Sequence, residues 1–237
     1  MSTIQDLKNK LISEGYCEGN LSDFLSDGDI QELRNYSQGV KEIIKTEKSR
    51  YFKCRYNYQP PNNEPQNYPH QISLEDVAER DKLCKDNNLL VWQKWFESSP
   101  PPDADLVNVP SEIFYKIVKS IYPEYEYEKY DIPKGDISLF EDGHFICEHQ
   151  DGKNEGRICV ILAYLSDESE WNDGGGELVL ESANGEKVEI KPFFGKFCML
   201  DFTEHNIKHS VNEVKNGFKR ITYINFITLR NFLKNKI

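Results

Sequence analysis

His149, Asp151 and His209 are the residues whose types and spacing could do chemistry together. His149-Gln150-Asp151 is a His-x-Asp triplet. In an extended strand, residues i and i+2 point to the same face, so this imidazole and carboxylate can reach one metal ion. His209 follows fifty-eight residues after Asp151 and opens His209-Ser210-Val211. Two imidazoles and one carboxylate on one side of a divalent metal leave the other coordination positions open for reactants. A His-x-Asp alone is a weak signal in an acidic chain. Of the other histidines, His205 competes with His209 but lacks the His-x-Val context. His144 is expected at the surface of a turn and His70 in solvent.

Such a constellation needs a rigid wall, and the second half of the chain supplies one. After Tyr130 the apolar period changes from helical to alternating. The runs 137–140, 145–148, 157–165, 177–181, 187–190, 195–202 and 220–228 are strand-like. Asp142-Gly143, Asp173-Gly174-Gly175-Gly176, Asn184-Gly185 and Asn216-Gly217 separate them with turn chemistry. About eight short strands spaced this way predict a double-sheet jelly roll. No Lys-Ser/Thr follows the Asp173–Gly176 run, which argues against a phosphate loop there.

The first half reads as helical. A helix is expected over 3–13, with Thr3 as its cap and Gly15-Tyr16 as its end. A second begins after Ser26, with Ile30, Leu33, Val40, Ile43 and Ile44 as its apolar positions. Residues 51–70 mix tyrosines, prolines and asparagines and read as a long loop with an extended start. Loops of that length are often lids or binding loops, which makes Arg55, Tyr56 and Tyr58 candidate substrate contacts. A third helix is expected from Ser73, resuming through Leu89, Leu90, Trp92, Trp95 and Phe96, with both tryptophans in the core. A fourth carries Pro110 in its first turn and stops before Pro123. The expected architecture is α+β: a helical region over 1–125 packs on a jelly-roll core over 126–237.

Composition narrows the function classes. The chain has 237 residues, 38% of them hydrophobic and 12% aromatic, which suits a globular fold rather than a disordered one. Its net charge of −11 disfavours a nucleic-acid partner, because phosphate contacts need a surplus of Lys and Arg. The small basic cluster of Arg230, Lys234 and Lys236 reads as a solvated helix end. No apolar run is long enough for a membrane span, and Met1–Lys10 lacks a signal-peptide core. The six dispersed cysteines form no Cys-x-x-Cys and read as reduced thiols, so a cytoplasmic location is expected.

One set of motifs brings these observations together. Phe140-x-x-Gly143-x-Phe145-x-x-x-His149-x-Asp151 is followed by Arg157 and Tyr164-Leu165-Ser166. Trp171 with Gly175-Gly176-Glu177-Leu178, Pro192-x-x-Gly195, His209-x-Val211 and Lys219-Arg220 come next. In this order the set resembles the Fe(II)/2-oxoglutarate-dependent dioxygenases of the prolyl 4-hydroxylase type, over about residues 136–228. The resemblance implies that His149, Asp151 and His209 ligate Fe(II), with 2-oxoglutarate and O2 as cosubstrates and ascorbate as a candidate reductant. It also implies a cation for the distal carboxylate of 2-oxoglutarate. Lys219 and Arg220 both qualify, and a strand lets only one of them face inward. Arg220 is preferred, because Thr222, Ile224 and Phe226 then line the pocket and a guanidinium can grip a carboxylate bidentately.

The sequence also departs from the family. Phe140 stands where a Tyr is common, so another hydroxyl must serve the cosubstrate, and Tyr164 and Thr222 are the candidates. The position often held by Trp is Phe226 or Asn225. Asp151 argues against the related halogenases, which lack the carboxylate. The implied reaction is hydroxylation of an unactivated C–H bond with decarboxylation of 2-oxoglutarate to succinate. Peptidyl proline leads as substrate by resemblance, with a free amino acid or other small molecule as the alternative. Selection is expected in 51–70 and in the acidic loop 166–174, where Trp171 is a candidate contact. Two rivals remain: a catalytically silent jelly-roll module, and a zinc hydrolase, for which the 2-oxoglutarate cation has no use.

Overall fold

The computed structural model describes residues 3–46, 52–57, 91–96, 105–123, 135–151 and 157–228. Helix α1 spans Ile4–Glu14. The Thr3 hydroxyl accepts from the Asp6 N–H while the Asp6 carboxylate accepts from the Thr3 N–H, a reciprocal cap. Leu7 and Leu11 form its buried stripe. Gly15 closes the helix with φ +79 and donates to the Leu11 carbonyl. A side chain there is strained by the backbone and would also press into Ile207 and His205. Helix α2, Asp27–Thr46, begins as expected at Ser26, whose hydroxyl accepts from the Asp29 N–H. Helix α3, Asp105–Ile121, starts earlier than expected. Pro110 therefore lies inside the helix, beyond its first turn. The stripe Ile113, Phe114, Ile117, Val118 and Ile121, all buried, outweighs the hydrogen bond that the proline cannot make.

Eleven strands form among the described residues: β1 Tyr16–Asn20, β2 Phe52–Asn57, β3 Val91–Phe96, β4 Asp136–Phe140, β5 Ile146–His149, β6 Arg157–Tyr164, β7 Leu178–Glu181, β8 Lys187–Ile190, β9 Lys196–Asp201, β10 Lys208–Val211 and β11 Arg220–Thr228. They run in the order β1-β9-β6-β11-β4-β3-β5-β10-β7-β8, with β2 added on β3. The expected helix through Trp92 and Trp95 is instead strand β3. Val-Trp-Gln-Lys-Trp-Phe is rich in aromatic residues, which suit a pleated surface. Its backbone serves three neighbours: β2 along its length, β4 through Lys94↔Leu139 and β5 through Val91↔Ile146. The remainder of that expected helix lies outside the described residues, as do Tyr58, His70 and the basic cluster. Strand β1, which the sequence did not reveal, pairs with β9 from Tyr16↔Leu200 to Asn20↔Lys196.

Two apolar layers follow from strand alternation. One packs Ile137, Leu139, Ile161, Ala163, Ile221, Tyr223 and Ile227 against residues of α1, α2 and α3. The other is the interior. Phe140, Val160, Leu162, Tyr164, Cys198 and Leu200 from β4, β6 and β9 join Leu178, Leu180, Ile190 and Val211 from β7, β8 and β10. Strands at opposite ends of the hydrogen-bonded order thus share one core. The sheet has folded over itself, giving the jelly roll.

Candidate active site

Strands β5 and β10 bring the two histidines together. Antiparallel pairing sets His209 directly opposite His149, and their rings lie 4.2 Å apart between centroids. Asp151, two residues past His149, turns one carboxylate oxygen to each: Oδ1 is 3.8 Å from His149 Nε2 and Oδ2 is 3.5 Å from His209 Nε2. One ligand atom from each residue falls within 4.8 Å of the others, and among the described residues this is the one such metal-competent group. Three donors held at right angles about 2.1 Å from a shared ion stand about 3 Å apart. The cluster therefore fits a single divalent ion once its donors draw together, each Asp151–histidine pair by under an ångström.

The electrostatics suit a ligand role. Burial, and then the neighbouring His149, push the His209 imidazole down to about 4, with Asp151 opposing them. His209 is therefore neutral near pH 7, the form that ligates metals. Its Nδ1 lies 3.3 Å from the Ile207 carbonyl, which can only accept. The proton is thereby placed on Nδ1, and the Nε2 lone pair is left facing Asp151. The competing histidines are occupied elsewhere. His205 Nε2 lies 2.6 Å from the Ile12 carbonyl. His144, expected at the surface, is 5% exposed: its Nδ1 accepts from the Glu141 N–H, and its ring meets the Phe140 edge.

Arg220 is the second feature of the interior. It opens β11 opposite Phe140 and is 3% exposed. Its Nε donates to the Gly176 carbonyl at 2.8 Å, and its guanidinium lies near the faces of Phe140 (5.1 Å) and Tyr164 (5.5 Å). Among the described residues no carboxylate pairs with it. An arginine keeps its charge in proteins, and a buried unpaired charge is costly. The site therefore asks for an anion. Gly176 has φ +76, and a Cβ there would sit 3.1 Å from Arg220 Cδ, so the chain can pass this close only as glycine. Lys219 is half-buried and outside the interior, and its carbonyl accepts from Ser166 Oγ.

The other sequence candidates divide. Tyr164 and Thr222 are fully buried beside Arg220; the Tyr164 hydroxyl faces the guanidinium, and the Thr222 hydroxyl has no hydrogen-bond partner among the described residues. Trp171 is not brought to the triad. Its Nε1 donates to the Gly175 carbonyl, and it lines a cleft of about 350 Å³ with Asp173, Glu177, Asn212 and Lys215. That cleft lies beyond the Val211↔Leu178 end of the β10–β7 pair, whereas His209 pairs with Leu180. Arg55 and Tyr56 fall on β2, for which only the backbone course is described. Arg157, quoted in the sequence only as part of a motif, holds its guanidinium 4.2 Å over the Phe226 ring, which stacks on Phe202.

Comparison with known proteins bears on this geometry. Residues 135–228 match the family model described as the 2OG-Fe(II) oxygenase superfamily. No curated protein matches the chain by sequence. Among solved structures, a Pseudomonas putida prolyl-4-hydroxylase superposes with a TM-score of 0.55 at 12% identity, covering 97% of this chain and 100% of that one. A Trichoplax adhaerens prolyl hydroxylase, solved in complex with a hypoxia inducible factor oxygen degradation domain peptide fragment, gives 0.63 at 15% identity over 99% and 92%. The non-heme alpha ketoglutarate dependent epimerase SnoN from nogalamycin biosynthesis gives 0.56 at 9% identity over 94% and 79%. At such identities the superpositions speak for the fold.

Proposed function

We propose that this chain, whose residues 135–228 match the 2OG-Fe(II) oxygenase family model, is an oxygenase of that kind that hydroxylates an unactivated C–H bond and converts 2-oxoglutarate to succinate and CO2. The observation that supports this reading is the buried Arg220 guanidinium on the interior-facing side of β11, found together with the His149–Asp151–His209 cluster. A zinc hydrolase has no use for that cation.

Each residue has a role in the proposed reaction. His149, Asp151 and His209 hold Fe(II), and Arg220 anchors the distal carboxylate of 2-oxoglutarate. When bound, the iron supplies O2 activation coupled to oxidative decarboxylation of the cosubstrate. One oxygen atom goes to succinate and the other to the substrate C–H, so that O2, 2-oxoglutarate and R–H become R–OH, succinate and CO2. The chain's own work is to orient, to exclude water and to keep His209 neutral with its proton on Nδ1. The interior walls, Val160, Leu162, Leu180 and Leu200, keep the reacting volume apolar.

A peptidyl proline leads as substrate, supported by the peptide held in the Trichoplax neighbour. A free amino acid or other small molecule is the alternative, because SnoN runs an epimerisation on the same architecture. We read Arg55, Tyr56 and Tyr58 as contacts of a substrate-covering loop over 51–70, 126–237 as the catalytic core, and ascorbate as the reductant. Among the described residues no helix is long and apolar enough to cross a membrane.

The test is anaerobic loading with Fe(II), followed by O2 and 2-oxoglutarate across a peptide and amino-acid panel, with His149→Ala as the blank. Succinate formation that N-oxalylglycine inhibits supports the reading. Tight zinc binding with hydrolysis and no succinate overturns it.

A further inference from the structure

The middle residue of the His-x-Asp triplet reaches across to the segment that carries the other histidine. Gln150 Nε2 donates to the Asn206 carbonyl at 2.5 Å, a contact between residues 56 apart in the chain. The next carbonyl along, that of Ile207, faces His209 Nδ1 at 3.3 Å. Two consecutive carbonyls leading into β10 thus meet both arms of the metal cluster. Gln150 is not itself a ligand. On an extended chain it points away from the face that His149 and Asp151 share.

The backbone ladder stops short of Asp151. Strand β5 ends at His149, and its pairing with β10 comprises His209↔His149 and Val211↔Ile146, with an irregular register between them. Asp151 lies two residues beyond the last pair. Among the described residues, the polar neighbours of its carboxylate are the two histidines. The position of that carboxylate therefore depends on its backbone, and the Gln150 bond fixes the residue immediately before it.

The receiving segment is anchored from the opposite side. The Asp201 carboxylate accepts from the N–H groups of Thr203, Glu204 and His205. His205 Nε2 lies 2.6 Å from the Ile12 carbonyl in the last turn of α1, and the buried Ile207 side chain packs on Gly15. Asn206 is thus tied to β9 and α1, and a donor that holds its carbonyl takes its position from them.

We propose that Gln150 is a positioning residue for the metal centre: its bond to the Asn206 carbonyl continues the tie between the two ligand-bearing segments past the end of the ladder and holds Asp151 within reach of both histidines. The proposal rests on the reading of the triad as a metal site. Gln150 is exposed, and an exposed hydrogen bond adds little to net stability. Its loss should therefore register at the metal and hardly in the fold.

The experiment titrates Mn(II), the weaker-binding neighbour of Fe(II) in the affinity order, into metal-free protein, and melts the same metal-free protein. Wild type, Gln150→Met, Asp151→Ala and the double variant are compared; methionine keeps the length of glutamine and removes the donor. Gln150→Met is expected to weaken Mn(II) binding about tenfold, the lower end for loss of an outer hydrogen-bond partner. The metal-free Tm should stay within about 3 °C of wild type. In the Asp151→Ala background the same substitution should change affinity by less than about twofold, because Gln150 acts through Asp151. Wild-type affinity in Gln150→Met overturns the proposal, as does an equal loss in both backgrounds. A larger fall in Tm, or failure to fold, assigns the bond to the fold and overturns it too. If wild type binds neither Mn(II) nor Fe(II), the metal-site reading falls and takes the proposal with it. If wild type binds metal and Gln150→Met binds it equally well, the proposal falls alone.

Discussion

The two faces of β11 differ in kind. Toward the helices, Ile221, Tyr223 and Ile227 are buried in an apolar layer, and the Tyr223 ring stacks on Phe114 at 4.7 Å. On the same face, the Asn225 amide donates to the Tyr223 hydroxyl. Toward the interior, Arg220 and Thr222 are equally buried, yet among the described residues no carboxylate forms an ion pair with the guanidinium and the Thr222 hydroxyl has no hydrogen-bond partner. One strand, with a side-chain period of two, separates an apolar face packed on the helices from a face that carries a buried cation.

Substitutions can break that contrast, beginning with the metal end. Asp151→Ala or His209→Ala should lower turnover by well over the roughly 10–100-fold that loss of an outer hydrogen-bond partner costs. Metal content measured after anaerobic reconstitution should fall in parallel, while circular dichroism stays native. At the other end of the interior, Arg220→Leu should weaken 2-oxoglutarate binding by about a hundredfold. Ligand-free stability should hold or increase, because a buried unpaired charge has been removed; chemical denaturation checks this. The helix-side face should respond the opposite way. Phe114→Ala should lose about 3–5 kcal/mol of unfolding free energy in urea, with the KM for 2-oxoglutarate little changed. A large KM effect there would mean that the two faces are not separable.

Smaller effects are expected farther from β11. Thr3→Ala removes one half of the reciprocal cap of α1 and should cost about 1 kcal/mol. Burial pushes the Cys17 thiol up to about 12. Native protein at pH 8 should therefore take up no iodoacetamide at Cys17, and labelling should appear only as urea unfolds the chain. The sign follows from a thiol held neutral in the fold. Its contribution to stability is complete below the ordinary thiol range and fades only as pH rises toward 12.

Much of the catalytic half was legible because its signals are local. The glycine-bearing turns, the alternating runs and the His-x-Asp triplet each depend on a few neighbouring residues. The first half was less legible. Trp92 and Trp95 are three apart, which suits a helix as well as a strand. The backbone edges of β4 and β5 decide between the two, and these lie more than forty residues further on. Strand β1, Tyr-Cys-Glu-Gly-Asn, has almost no pattern of its own and exists because β9 offers it an edge. His144 shows the same limit: its sequence neighbours spell a turn, and only packing against Phe140 buries it.

The sequence by itself determined the donor types, the spacing that allows a metal site, and the presence of a cation on the last strand. Residue chemistry and strand period carry that information without any long-range contact. Only the folded chain decided that Arg220 rather than Lys219 faces the interior, and that Trp171 lines a cleft apart from the histidines. Those outcomes depend on register between strands distant in the chain, where a slip of one residue turns every side chain to the other face.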